Sequence, residues 1–151
     1  MGKGVTQKPL TPAQVYVLVL GEPKKGSEVV TGTTPILGFE ASILFDLGAT
    51  HSFVSIMFVR LSRLIVQTLE PGLVVTTPIR KTMVGKCVVY ECPNSICGRV
   101  LPANLVVLPM NSYNVILGMD WLARNLVIID YARKQVMLKP WEEGKVTYIG
   151  L

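Results

Sequence analysis

Histidine is nearly absent from this chain, cysteine is scarce and aromatic residues make up only 7% of it, and each shortage removes a class of function. One histidine, His51, and three cysteines, Cys87, Cys92 and Cys97, do not supply the tight paired ligands of a zinc site. The thiols are spaced along expected hairpin strands, where side chains alternate between faces, so they are read as buried and free. An odd thiol count also argues against a disulfide framework. No metal and no cofactor are expected, and a reducing, cytoplasmic location is.

Long hydrophobic runs are missing too. The apolar stretches are short, against the roughly 18 residues a membrane span requires, and residues 1–10 carry no signal-peptide core, so neither a membrane partner nor export is expected. Basic charge is present but not concentrated: 15 Lys and Arg against 10 Asp and Glu give +5, scattered through Lys24-Lys25, Arg60, Arg63, Arg80-Lys81 and Arg133-Lys134. Without a dense stripe or interleaved aromatics this reads as solvated surface, and a nucleic-acid partner ranks last. His51 and Ser52 are adjacent and so point apart, and no G-x-S-x-G elbow is present, which removes a Ser-His hydrolase.

What remains is a chain of 151 residues, half of them apolar, rich in Val, Ile and Thr and long enough for one domain. Short strands bounded by Gly and Pro predict an all-β fold with one or two short helices. Residues 1–28 read as a linker holding one candidate strand over 13–20, residues 29–140 as the domain, and 141–151 as a tail. Within the domain, strands are expected over 29–38 and 41–45, a helix over 52–64, a turn at 69–72, and strands over 73–77 and 83–90 about the tip Pro78-Ile79-Arg80-Lys81. Further strands are expected at 96–100, 104–108, 127–130 and 135–138. The polar start and the Lys139-Pro140-Trp141 end read as borders of a segment excised from a longer chain.

One acid stands apart. In Ile43-Leu44-Phe45-Asp46-Leu47-Gly48-Ala49-Thr50-His51-Ser52 an apolar strand runs straight into Asp46 and then breaks at a glycine. A carboxylate at the end of a buried strand must be hydrogen-bonded, paired or catalytic, because an isolated buried charge is too costly. It either caps the turn through backbone N–H groups or performs chemistry. Val115-Ile116-Leu117-Gly118-Met119-Asp120-Trp121-Leu122 repeats the strand, glycine and helix pattern, and there Asp120 reads as structural.

These two blocks, in this order and at this spacing, resemble the retropepsin-like aspartic protease segment of plant gypsy-type LTR retrotransposon polyproteins. The resemblance covers roughly 29–138. It implies a closed β-barrel-like subunit that supplies one Asp, so that the working enzyme is a homodimer acting on a polypeptide. It maps Asp46 onto the catalytic position and Leu47, Gly48, Ala49 and Thr50 onto the active-site loop. Thr77, Pro78, Ile79 and Arg80 fall on the flap tip, and Ile116, Leu117, Gly118 and Asp120 lie beneath the loop.

Three positions depart from the family's pattern. Leu47 stands where Ser or Thr is usual, Asn114 where Asp commonly precedes Val-Ile-Leu-Gly, and Arg80 where the flap tip commonly has glycine. The hydroxyl replaced by Leu47 normally bonds across the dimer axis. A second expectation therefore stands beside the enzyme: a catalytically weak or inactive domain that dimerises or holds a peptide strand by β-augmentation.

Overall fold

The computed structural model describes residues 11–14, 30–77, 80–96, 98–138 and 147–150. In chain order these form β1 (Thr11–Gln14), β2 (Val30–Ile36), β3 (Phe39–Phe45), β4 (Ser52–Ser55), α1 (Ile56–Ser62), β5 (Gln67–Thr76) and β6 (Thr82–Cys92). There follow β7 (Ser95–Ile96), β8 (Arg99–Val100), β9 (Ala103–Leu108), β10 (Val115–Leu117), α2 (Met119–Arg124), β11 (Ile128–Asp130), β12 (Gln135–Leu138) and β13 (Thr147–Gly150).

Eight strands share one sheet in the order β1-β5-β6-β9-β4-β10-β3-β2. Among the described residues β1 and β2 are its two edges, so the sheet is open, and the closed barrel implied by the resemblance is corrected to an open sheet. Two smaller sheets, β11-β12-β13 and β7-β8, complete the architecture.

The apolar runs of the sequence are continuous because the central strands are covered on both faces. Ile43 and Phe45 of β3, Val54 of β4, and Val115 and Leu117 of β10 enter one core with Phe58, Leu105 and Trp121. Their neighbours Leu44, Phe53 and Ile116 enter a second core with Ala49, Leu73, Val75, Val106 and Leu108. Alternation along each strand thus feeds two cores. β10 is the hinge of this arrangement: it pairs in parallel with β3 and antiparallel with β4.

The helix expected over 52–64 begins only at Ile56. Ser52–Ser55 is a strand instead, with β9 in parallel on one side and β10 on the other, so its backbone groups are taken by two ladders. Ser55 then caps α1, its Oγ accepting from the Phe58 N–H at 3.0 Å, and Arg63 ends it with φ 56°.

The turn expected at 69–72 is also displaced. β5 runs through Pro71 and Gly72, and the Pro-Gly signal marks a register shift in its pairing with β6 between Thr68 and Leu73. The strand expected at 96–100 is a small hairpin of β7 and β8, and the candidate strand over 13–20 is described only through Gln14, as the end of β1, which pairs with β5. Residues 15–20, Pro78, Ile79, Cys97 and Lys139-Pro140-Trp141 lie outside the described residues. β5 and β6 pair as an antiparallel arm, and on either side of Pro78-Ile79 the Thr77 N–H donates to the Lys81 carbonyl at 2.9 Å and the Arg80 N–H to the Thr77 carbonyl at 2.8 Å.

Candidate active site

Asp46 lies one residue past the end of β3 and is only 4% exposed. Its N–H donates to the Leu117 carbonyl at 2.9 Å, and its own carbonyl accepts from the Ala49 N–H at 3.2 Å. The Gly48 N–H donates to the carboxylate Oδ1 at 2.8 Å. The turn-capping geometry expected of a structural acid is therefore present, and it also holds the carboxylate in one orientation. Gly48 contributes through that N–H: the described glycines with positive φ are Gly38 and Gly98.

The loop that follows alternates sharply in burial. Leu47 is 41% exposed, while Ala49 is wholly buried in the second core, beside which Leu73 and Val75 of the β5 arm are gathered. Thr50 is exposed and its Oγ1 lies 2.9 Å from Nδ1 of His51. Ser52 is fully buried and turns to other partners, so the adjacent hydroxyl and imidazole form no catalytic pair.

Beneath the loop sits the start of α2. A side chain at Gly118 would run into the carbonyl oxygens of His51 and Ala49, the latter 2.7 Å from the Cβ position, which is why glycine breaks the apolar run there. The Met119 N–H donates to the Ala49 carbonyl at 2.7 Å. The Gly118 N–H donates to Ser52 Oγ at 3.0 Å, and that hydroxyl donates to Asp120 Oδ1 at 2.6 Å. Asp120 Oδ1 also accepts from the Trp121 N–H at 2.7 Å. Ile116 and Leu117 are fully buried, one in each core.

No local spacing in the sequence announces the bond of Ser52 to Asp120. The available signal was a hydroxyl opening the apolar pair Phe53-Val54, a place where a buried polar group needs a partner.

Asn114 is stitched to β3. Its Oδ1 accepts from the Ser42 N–H at 2.8 Å and Oγ at 3.1 Å, and its N–H donates to the Ser42 carbonyl at 3.0 Å. Its side-chain role here is that of an acceptor, which a carboxylate also fills. At the arm's tip Thr77 is buried and Arg80 exposed with φ 61°, the left-handed conformation that glycine adopts at least cost.

Among the described residues no group of three or more His, Cys, Asp or Glu is gathered as a metal site. Cys87 is half-buried, and burial pushes the Cys92 thiol up to about 11. Neither of two small cavities is lined by Asp46: one of about 140 Å³ lies between β2, β3 and β7, lined by Thr34, Phe45 and Ile96, and one of about 170 Å³ is lined by Asn104, Asp120 and Arg124. No helix among the described residues is long and apolar enough to cross a membrane.

The sequence profile of the family described as "Retroviral aspartyl protease" matches residues 9–144, nearly the whole chain. This chain belongs to the retroviral aspartyl protease family. Its fold is similar to that of the retroviral protease-like domain of Ddi1 from Leishmania major, with a TM-score of 0.58 over 80% of this chain and 90% of that one. At 15% identity the likeness speaks for the fold alone. No curated protein matches the sequence. The retroviral aspartyl protease match extends to both sides of the region the resemblance covered, taking in β1 and ending before β13.

Proposed function

We propose that this chain is an aspartic endopeptidase of retropepsin type, assembled as a homodimer in which each copy supplies one Asp46. The observation that carries the reading is Asp46 itself: a buried carboxylate at a strand end, oriented by the Gly48 N–H, in a chain of the retroviral aspartyl protease family. Two such carboxylates about 3 Å apart share one proton. The ionised one takes a proton from a water as its oxygen attacks the peptide carbonyl, and the protonated one gives its proton to the carbonyl oxygen. The pair titrates as a unit.

In this reading Leu47, Gly48, Ala49 and Thr50 form the active-site loop, and the β5–β6 arm, with Thr77 and Arg80 at its described tip, covers an extended polypeptide. Ile116, Leu117, Gly118 and Asp120 support the loop from below. The substrate is a retrotransposon polyprotein and the setting a reducing cytoplasm.

The test is cleavage of an unstructured polypeptide at mildly acid pH, with and without an aspartic-protease inhibitor, by the chain and by Asp46→Asn. Asparagine keeps the Oδ1 acceptor for Gly48 but cannot act as general base, so a loss of about 100-fold or more is expected in a folded variant. Cleavage that ignores both inhibitor and variant would overturn the reading.

Leu47 favours a second one. Its exposed apolar side chain stands where a hydroxyl is usual, as suits a domain that dimerises or grips a peptide without cutting it. Peptide binding and dimerisation with no inhibitor-sensitive cleavage would select it.

A further inference from the structure

We infer that Ser52 is a positioning residue for the loop that carries Asp46, acting through a one-way hydrogen-bond relay to Asp120. The polarity of the relay is forced. The Gly118 N–H can only donate, and it donates to Ser52 Oγ at 3.0 Å. The Ser52 hydroxyl therefore spends its single proton on Asp120 Oδ1, 2.6 Å away, and that oxygen also accepts from the Trp121 N–H at 2.7 Å.

Ser52 is fully buried and Gly118 is buried, so water cannot replace the bond between them at low cost, while the exposed Asp120 holds the outer end of the relay. The relay closes the far end of the loop. At the near end the Asp46 N–H is held by Leu117, and in the middle the Ala49 carbonyl is held by Met119. Three successive residues, Leu117, Gly118 and Met119, thus grip the loop at three points, and the grip at Ser52 is the one made by a side chain. Asp120 anchors that side chain.

The catalytic consequence rests on the endopeptidase reading: misplacing a reacting group by about 1 Å can cost about 100-fold in rate. Ser52→Ala should therefore lower kcat by about 10- to 100-fold with KM within about twofold, and Asp120→Ala should do the same. Asp120→Asn, which keeps an oxygen acceptor, should restore most of kcat, and Ser52→Thr, which keeps the hydroxyl, should do likewise. A role confined to stability would lower the amount of folded protein without splitting kcat from KM or being rescued in this pattern.

Amide hydrogen exchange of the native chain supplies a readout that needs no activity. In Ser52→Ala the Gly118 amide should exchange about tenfold faster, with protection also falling at 46–52 and unchanged in β12. If the unaltered chain never cleaves, the endopeptidase reading fails and the relay is judged by exchange alone. Unchanged exchange at Gly118 and 46–52 in Ser52→Ala, or full kcat in that variant beside an active parent, overturns the inference.

Discussion

The backbone N–H of Asp46 and the carbonyl of Leu117 meet at 2.9 Å, one residue beyond the point where the parallel pairing of β3 and β10 ends at Phe45 and Leu117. The candidate acid is thereby an extension of the central sheet, although it sits in a loop. Its position is inherited from two strands that are buried on both faces, and the local loop sequence has only to turn the chain afterwards.

Leu47 takes no part in fixing that turn. The loop's backbone bonds run through Asp46, Gly48 and Ala49, and the Leu47 side chain is 41% exposed. Leu47→Ser should shift the unfolding free energy of the chain by less than about 0.5 kcal/mol in urea titrations at low protein concentration. Any larger change in cleavage or peptide binding should then appear as an altered concentration dependence, the mark of association between copies. A loss above about 1.5 kcal/mol at low concentration would show instead that Leu47 packs within one chain.

Gly118→Ala should be among the most damaging single changes. Its Cβ meets backbone oxygens of Ala49 and His51, which cannot rotate away as a side chain can. Overpacking of this kind costs about 1–3 kcal/mol, and relief requires the 49–51 backbone to move. Chemical denaturation should register the cost, and Asp46-dependent cleavage should fall further than stability does.

Arg80→Gly should stabilise the arm. Arg80 has φ 61° between two hydrogen bonds to Thr77, and a residue with a Cβ is disfavoured there by about 1–2 kcal/mol. Glycine removes that strain and returns part of it through greater freedom of the unfolded chain, leaving a net gain of up to about 1 kcal/mol. A thermal melt of Arg80→Gly beside Arg80→Val, which should lose stability, checks the sign.

Cys92 should resist alkylation while the chain is folded. Burial raises its thiol from 9.0 to about 11, so the folded state holds the proton more tightly than the unfolded state does. The sign follows: its contribution to stability is full below pH 9 and is lost as pH rises from about 9 through about 11. At pH 8, Cys92 should label only on addition of denaturant. Rapid labelling of Cys92 in the native chain would contradict its burial.

Much of the site was legible because it is written in apolar strands that stop at a glycine. Asp46 and Gly118 stand at such stops, and the strands over 43–45 and 115–117 are where the sequence places them. Segments whose conformation is decided by distant partners were less legible. Ser52–Ser55 has helical spacing with its neighbours, yet β9 and β10 claim its backbone. Pro71-Gly72 spells a turn, yet β6 pairs along both sides of it and absorbs the signal as a register shift. The Ser52–Asp120 bond joins residues far apart in sequence, and no local spacing announces it. Asn114 was visible as a departure from a family pattern, while the acceptor role that makes it equivalent to a carboxylate is visible only in its bonds to Ser42.

The place of β10 between β3 and β4 also sets an order of events during synthesis. A growing chain that has reached Ser112 already contains Asp46, its loop and the whole β5–β6 arm, yet the slot between β3 and β4 is still empty. Leu117 has not arrived to take the Asp46 N–H, and Gly118 has not arrived to meet Ser52. Whatever chemistry the loop performs is therefore expected only after β10 and Gly118 have been made and threaded between β3 and β4.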